Sequence, residues 1–251
     1  MNKLAPITLL FWIMKIAATT LGETSGDLLS MTLNLGYAVS SLVLFGFFLL
    51  TVIPQLLAKK YHPILYWSVI LSTTMVGTTI SDYMDRTLGL GYLQGSAILL
   101  GILLTIFAFW RASGQTLAVD KIKSPKTELL YWVAILCSNT LGTALGDFFA
   151  DTSGLGFAGG ALLIGAMLVL LALAAFYTRL SKVAIFWVAF VLTRPFGATF
   201  GDLFTKPLES GGLGVGTINS SLILVALLGT CIVYATWQHY RDQSNVYLLD
   251  K

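Results

Sequence analysis

The sequence predicts an all-α integral membrane protein: eight transmembrane helices forming four parallel two-helix repeats around a pseudo-symmetry axis along the membrane normal. Composition is the first ground. Of 251 residues, 56% are hydrophobic and 11% charged, with a mean hydropathy of +0.82; soluble domains carry roughly 25% charged residues. The second ground is an internal repeat. Trp12, Gly22, Gly26 and Asp27 return as Trp67, Gly77, Ser81 and Asp82, then as Trp132, Gly142, Gly146 and Asp147, then as Trp187, Gly197, Gly201 and Asp202. In each copy the Asp lies 15 residues after the Trp, and the Trp-to-Trp intervals are 55, 65 and 55. Two tight pairs joined by a longer connection indicate a unit duplicated twice. Thr20-Leu21-Gly22 and Thr140-Leu141-Gly142, shared by copies one and three, fit a half-to-half step.

A transmembrane helix needs about 20 mainly apolar residues. The first runs from Pro6 to about Gly22, with Pro6 in the first turn, where a missing N–H costs nothing. Lys15 interrupts the apolar run and Trp12 stands in the repeat register, so the segment reads as a retained span and not as a signal peptide. The second runs from Tyr37 to Leu57, with Pro54 as a kink near its end, the third from Pro63 to Ile80 and the fourth from Tyr92 to Trp110. A polar half-to-half linker follows over residues 111–128 and accounts for the longer middle interval. Leu129 to about Leu145 is the fifth span and Phe157 to Tyr177 the sixth. The seventh runs from Val183 to about Phe200, bent at Pro195, and the eighth from Thr217 to Trp237. The chain is thus one membrane domain over 1–251, with repeat units at about 5–60, 61–110, 126–180 and 181–238.

Basic residues set the orientation. Eleven of the fifteen Lys and Arg, among them Lys59, Lys60, Lys121, Lys123 and Lys251, fall on the side of both termini, which should face the cytoplasm. The opposite side holds Arg86 and Lys206; Lys15 and Arg194 lie within spans. Two spans per repeat give all four copies one orientation, so the axis relating them lies along the membrane normal and not in its plane. All four Asp motifs then arrive at the non-cytoplasmic ends of the odd-numbered helices, most simply as a ring of four.

Glycines four residues apart make a strip where another backbone approaches closely. The same glycines could instead let a helix unwind and offer carbonyls to an ion, since each weakens a helix by roughly 1 kcal/mol against Ala. Eight of the twelve acids lie in or just after the motif. Glu23 pairs with Asp27, Asp82 with Asp85 and Asp147 with Asp151 on one helical face, while Asp202 has Lys206 four residues on. These acids are either helix terminators in an aqueous loop or members of a sheltered site. Leu28-Leu29 and Phe148-Phe149, directly after two of them, favour shelter. Hydroxyls such as Thr20 and Thr78 accompany them, and carboxylates, hydroxyls and carbonyls are hard ligands for Mg²⁺, Mn²⁺ or Ca²⁺. Paired acids also raise one another's pKa, which admits a proton as the coupling ion.

Lys15 either snorkels toward the cytoplasmic end or pairs with an acid. Arg194 forms a structural ion pair or bonds freed carbonyls, or else meets an anionic solute. The four Trp residues read as interfacial anchors or as packing across the axis. Cys137 and Cys231 read as buried thiols, with no disulfide framework or metal-ligand spacing. There is no Ser/His/Asp set, HExxH, P-loop or nucleotide fingerprint, so no enzyme and no cofactor is expected. The largest basic cluster is Lys59-Lys60, which argues against nucleic acid.

Four tandem repeats over residues 5–238, each with one Trp and two hydrophobic segments, resemble the bacterial four-repeat integral membrane protein family of unknown function. The resemblance implies architecture and a bacterial inner (plasma) membrane, and no activity. The Glu23-to-Asp27 run is also loosely similar to the Glu-x-Gly-Asp signature of manganese and calcium exchangers, one residue longer. The residues together predict a cation transporter, for a hard divalent ion and open to proton coupling, with the lipid bilayer and the ion as partners. Its metal site would be Asp27, Asp82, Asp147 and Asp202, with Glu23, Asp85, Asp151, Thr20, Thr78 and Arg194 around it. The alternatives are a non-transporting membrane scaffold and a small polar solute permease using Arg194.

Overall fold

The computed structural model describes residues 3–122 and 124–249. Lys123 and Lys251, two of the basic residues that set the expected orientation, lie outside the described residues. Among these there is no strand. Eight long helices follow in order: α1 Leu9–Asp27, α2 Tyr37–Leu57, α3 Pro63–Asp82, α4 Gly91–Ala112, α5 Pro125–Asp147, α6 Gly156–Tyr177, α7 Lys182–Thr205 and α8 Thr217–Leu249. Seven of them, α2 to α8, are long and apolar enough to cross a membrane, which fits a multi-pass membrane protein. The expected eighth, α1, is not among the seven: Lys15, Glu23, Asp27 and a run of hydroxyls dilute it. Nearly all of these polar groups are buried against other helices, so α1 holds its place by its partners and not by its hydropathy.

The four odd helices close a ring. α1 packs on α3 and α7, and α5 packs on the same two. The even helices stand outside, but not each against its own repeat. α2 packs chiefly on α3, α4 on α5, α6 on α7, and α8 returns to α1. Each repeat therefore covers the inner helix of the next one, and the last covers the first. Between 56% and 67% of the apolar stretch of α3, α5 and α7 is buried, against 17–28% in the even helices α2, α4, α6 and α8. The outer helices turn large apolar side chains outward, including Leu42, Leu104, Leu162, Leu170 and Leu222.

The Trp-plus-ten glycines make the ring tight. A Cβ on Gly22 would collide with Thr74 of α3, and one on Gly77 would lie 2.9 Å from the Thr140 backbone nitrogen of α5. The same atom on Gly142 would collide with Arg194 and Pro195 of α7, and on Gly197 with Thr19 of α1. One glycine in each copy thus seats the following helix, and the cycle closes. The motif is continuous helix in all four copies, so these glycines serve close approach and the unwound alternative does not hold. Directly after the Asp, copies one to three pass into a single π-helical turn: Leu28–Thr32, Tyr83–Thr87 and Phe148–Thr152. Copy four instead ends its helix at Thr205.

One end of the ring is filled by aromatic rings. Trp67, Trp132 and Trp187 are buried with Phe11, Tyr66, Tyr131 and Phe186, and the Tyr66 and Tyr131 hydroxyls share a hydrogen bond of 2.7 Å between the neighbouring helices α3 and α5. The tryptophans therefore serve mainly as packing. The linker is shorter than hydropathy suggests. Ser124 caps α5 by accepting from the Thr127 N–H (3.1 Å), which brings Pro125 to Glu128 into the helix. Val119 and Ile122 in between are buried, and Leu117 accepts a hydrogen bond from Trp187 Nε1 (2.9 Å). Cys137 and Cys231 are free and only partly buried, Cys137 on the face of α5 that meets α4, where its thiol lies 3.6 Å from the Leu99 carbonyl.

Replacing Gly77 by Val should lower thermal stability in detergent by about 1–3 kcal/mol or abolish folding, as the backbone it meets cannot yield. Gly101→Ala, which meets nothing within 4 Å, should leave the melting temperature unchanged or slightly raised.

Candidate functional site

From each Trp, the residues 7, 11, 15 and 19 positions on share one register, because four residues are slightly more than one helical turn. At plus seven stand Thr19, Thr74, Asn139 and Arg194; at plus eleven, Glu23, Thr78, Thr143 and Ala198. At plus fifteen are the four Asp residues, and at plus nineteen Met31, Arg86, Asp151 and Lys206. The backbone repeats fourfold while the chemistry does not. Each layer holds a different assortment of acids, bases and hydroxyls.

Arg194 is the centre. Its guanidinium is fully buried and reaches three other helices from α7. Nη2 donates to Glu23 Oε2 of α1 at 2.7 Å, to Thr143 Oγ1 of α5 at 2.6 Å and to Thr78 Oγ1 of α3; Nη1 lies 3.4 Å from the Thr19 carbonyl. Above it the four Asp side chains, all buried, divide into two pairs. Arg86 binds Asp82 and Asp147, each at 3.1 Å, and so joins repeats two and three. Lys206 binds Asp27 at 2.8 Å and Asp202 at 3.1 Å, joining repeats four and one. Both bases sit four residues after an Asp, in copies two and four, and both side chains are partly exposed, 30% and 22%. The acids they bind are buried, so the two bases are the partly exposed members of this layer. Burial draws the Lys206 ammonium pKa down, but the Asp202 and Asp27 carboxylates outweigh this and hold it above the ordinary lysine value.

A carboxylate oxygen from each of Glu23, Asp147 and Asp202 lies within 4.8 Å of the others, all three residues buried. The tightest acidic convergence thus differs from the expected ring of four Asp: Glu23 enters it and Asp27 and Asp82 do not, although all five carboxylates take part in ion pairs. Thr78 joins the centre. Thr20 does not; its hydroxyl is turned onto the Ile16 carbonyl of its own helix at 2.9 Å. Asp85 is buried but faces α4, against Gly95, and accepts a bond from Ser81 at 3.2 Å. The π turn explains it, since a wider turn rotates the third residue off the face that the fourth, Arg86, still shares. Asp151 is exposed, as suits a carboxylate one turn beyond the buried Asp147 with no base beside it. Lys15 neither snorkels nor meets an acid. It is fully buried, donates to Asn139 Oδ1 at 3.2 Å and lies 4.1 Å from the centroid of the Phe190 ring.

Residues 10–61, 65–116, 130–181 and 185–240 match the family model described as Repeat of Unknown Function (DUF347). The chain belongs to this family. Each matched repeat opens two residues before its Trp, so the family's own frame coincides with the register that builds the column. No curated protein and no solved structure matches the chain. The residue that sequence reasoning left out of this repeat protein's centre is Arg86. Its signal was present: it follows Asp82 by four places, as Lys206 follows Asp202.

Removing the bridging ammonium leaves two buried carboxylates unpaired. Lys206→Met should destabilise the protein toward the lower end of about 3–5 kcal/mol, because the lysine is partly exposed. Adding Asp27→Asn should recover part of that loss. The raised folded-state value of Lys206 gives the sign of the pH effect: its contribution is complete below the unfolded lysine value of about 10.4 and disappears as pH rises through the folded one. Melting curves of wild type and variant should therefore differ by a constant amount at neutral pH and converge only in strong alkali.

Proposed function

We propose that the chain is a transporter for a hard divalent cation in a bacterial inner membrane, with Glu23, Asp147 and Asp202 as the primary ligands. In this reading α1 is the eighth membrane-crossing helix, the axis of the ring lies along the membrane normal, and both termini are cytoplasmic. Arg86 and Lys206 then stand at the outer mouth.

A charge imbalance carries the proposal. From the Arg194 layer upward the column buries five carboxylates, those of Glu23, Asp27, Asp82, Asp147 and Asp202, and sets three bases against them, Arg86, Arg194 and Lys206. Two carboxylate charges are left over inside a helical ring, where an uncompensated charge is costly. A divalent cation balances both, and two protons do the same in its absence. Size refines the choice. Three oxygens up to 4.8 Å apart place an ion at their centre at most about 2.8 Å from each, slightly beyond the calcium range of about 2.3–2.6 Å, so Ca²⁺ needs only a small inward shift and Mg²⁺, at about 2.0–2.1 Å, a larger one. The ligand set is all oxygen, with Thr78 and Thr143 beside it, which disfavours soft metals.

One observation favours a scaffold instead: Arg194, Arg86 and Lys206 each tie neighbouring repeats, so the same charges lock the ring. The solute-permease reading gains least, because both Arg194 Nη atoms are already engaged.

Proteoliposomes loaded with a Ca²⁺- and Mn²⁺-responsive dye decide between them. Wild type should admit Ca²⁺ and Mn²⁺, and Asp147→Asn and Asp202→Asn should cut that flux about tenfold or more while eluting as folded protein. Unchanged flux in folded variants would sink the cation assignment, and folding lost in both variants with no wild-type flux would favour the scaffold.

A further inference from the structure

Below Arg194 the column holds one more base. Three residues after each Trp stand Lys15, Ile70, Ile135 and Phe190, and all four are fully buried. Three copies thus fill this layer with apolar side chains and one fills it with an amine. Every other buried or bridging base described has a carboxylate: Arg194 has Glu23, Arg86 has Asp82 and Asp147, Lys206 has Asp27 and Asp202, and Lys3 has Glu128. Lys15 has an amide oxygen and an aromatic face. A buried ammonium without an acid is expensive. Its neighbours serve both protonation states. The Asn139 oxygen accepts from either, the Phe190 face attracts the charged form, and the adjoining Ile70 and Ile135 layer tolerates the neutral one.

We infer that Lys15 is the proton-binding site linked to the cation site: it holds a proton while Glu23, Asp147 and Asp202 are empty and releases it when they take a divalent ion. This rests on the cation reading above. Charge balance supports it. With Lys15 charged, five carboxylates and four bases leave the column one negative charge. A divalent ion turns this to one positive charge, and loss of the Lys15 proton returns it to zero. Position supports it too. Lys15 lies eight residues below Glu23 on α1, about 12 Å along the helix, near enough to feel the ion across a dry interior yet out of contact with any of its ligands. The surroundings add no competing acid. α7 presents Arg194 and Phe190, α5 presents Asn139 and Ile135, and α3 presents Thr73 and Ile70. α8 carries no charged residue from Thr217 to Gln238, its titratable groups there being Cys231 and Tyr234.

The test is calorimetric binding of Ca²⁺ to the purified full-length protein in detergent, in buffers of different ionisation enthalpy, which counts protons released per ion. Lys15→Met, which resembles what the other repeats place there, should release roughly one proton fewer than wild type and bind Ca²⁺ at least as tightly. Lys15→Arg keeps a charge that cannot be shed, so it should also release fewer protons but bind about tenfold more weakly. Opposite affinity changes at equal proton loss are not produced by a merely structural lysine. Equal proton release from wild type and Lys15→Met overturns the inference. Absence of Ca²⁺ binding by folded wild type overturns the cation reading, and the inference with it.

Discussion

The buried guanidinium of Arg194 is the constraint on which the ring depends. A fully desolvated cation has to find its partners inside the protein, and this one finds them on every other inner helix: Glu23 and the Thr19 carbonyl on α1, Thr78 on α3 and Thr143 on α5. Geometry around it follows. The Arg194 stem passes where a side chain on Gly142 would be, so α5 has a glycine there. Close approach and charge satisfaction are one arrangement. Moving any of the four helices outward would both open the packing and strand a charge.

A symmetric backbone carries an asymmetric set of charges. The glycine contacts run α1 to α3 to α5 to α7 to α1 with the same offset each time, and the four Asp residues keep that fourfold order. The bases do not. Arg86 and Lys206 occupy only copies two and four, which gives the ion pairs a twofold pattern consistent with the longer middle interval between halves. Arg194, Glu23 and Lys15 are single. Duplication supplied the frame, and later differences among equivalent positions supplied the chemistry. Such single residues in a shared register are where a repeat protein acquires polarity along its axis. Here acids lie toward one end, a buried amine lies deeper, and an aromatic layer seals the column beyond it.

The outer helices contribute in a different way. Because α2 covers α3 and α8 covers α1, no repeat buries its own inner helix, and the ring is stable only when closed. That exchange keeps the polar faces of α1, α3, α5 and α7 turned toward one another while the apolar even helices surround them. Without an apolar exterior, five buried carboxylates would have no reason to be sheltered from water.

Much of the architecture was legible in the sequence. Hydropathy located α2 and α6 to within a residue, and the Trp-to-Asp spacing identified the repeat and the end where the acids gather. Other features depended on three dimensions. Hydropathy describes a segment's average, so it could not show that α1 fails as an apolar span yet is held by its neighbours. Nor could it show that α5 begins at Pro125, where a serine cap extends the helix. Spacing places side chains on a face but does not say which helix meets that face. The sequence by itself therefore determined four like repeats, their helices and their acids. Only the tertiary structure decided that Glu23 joins Asp147 and Asp202, that Arg86 and Lys206 each bridge two copies, that Asp85 and Asp151 stand aside, and that Lys15 meets an amide and a ring in place of an acid. The physical reason is that a charge is satisfied by whatever lies within about 3 Å of it, and in a closed ring those neighbours come from other repeats.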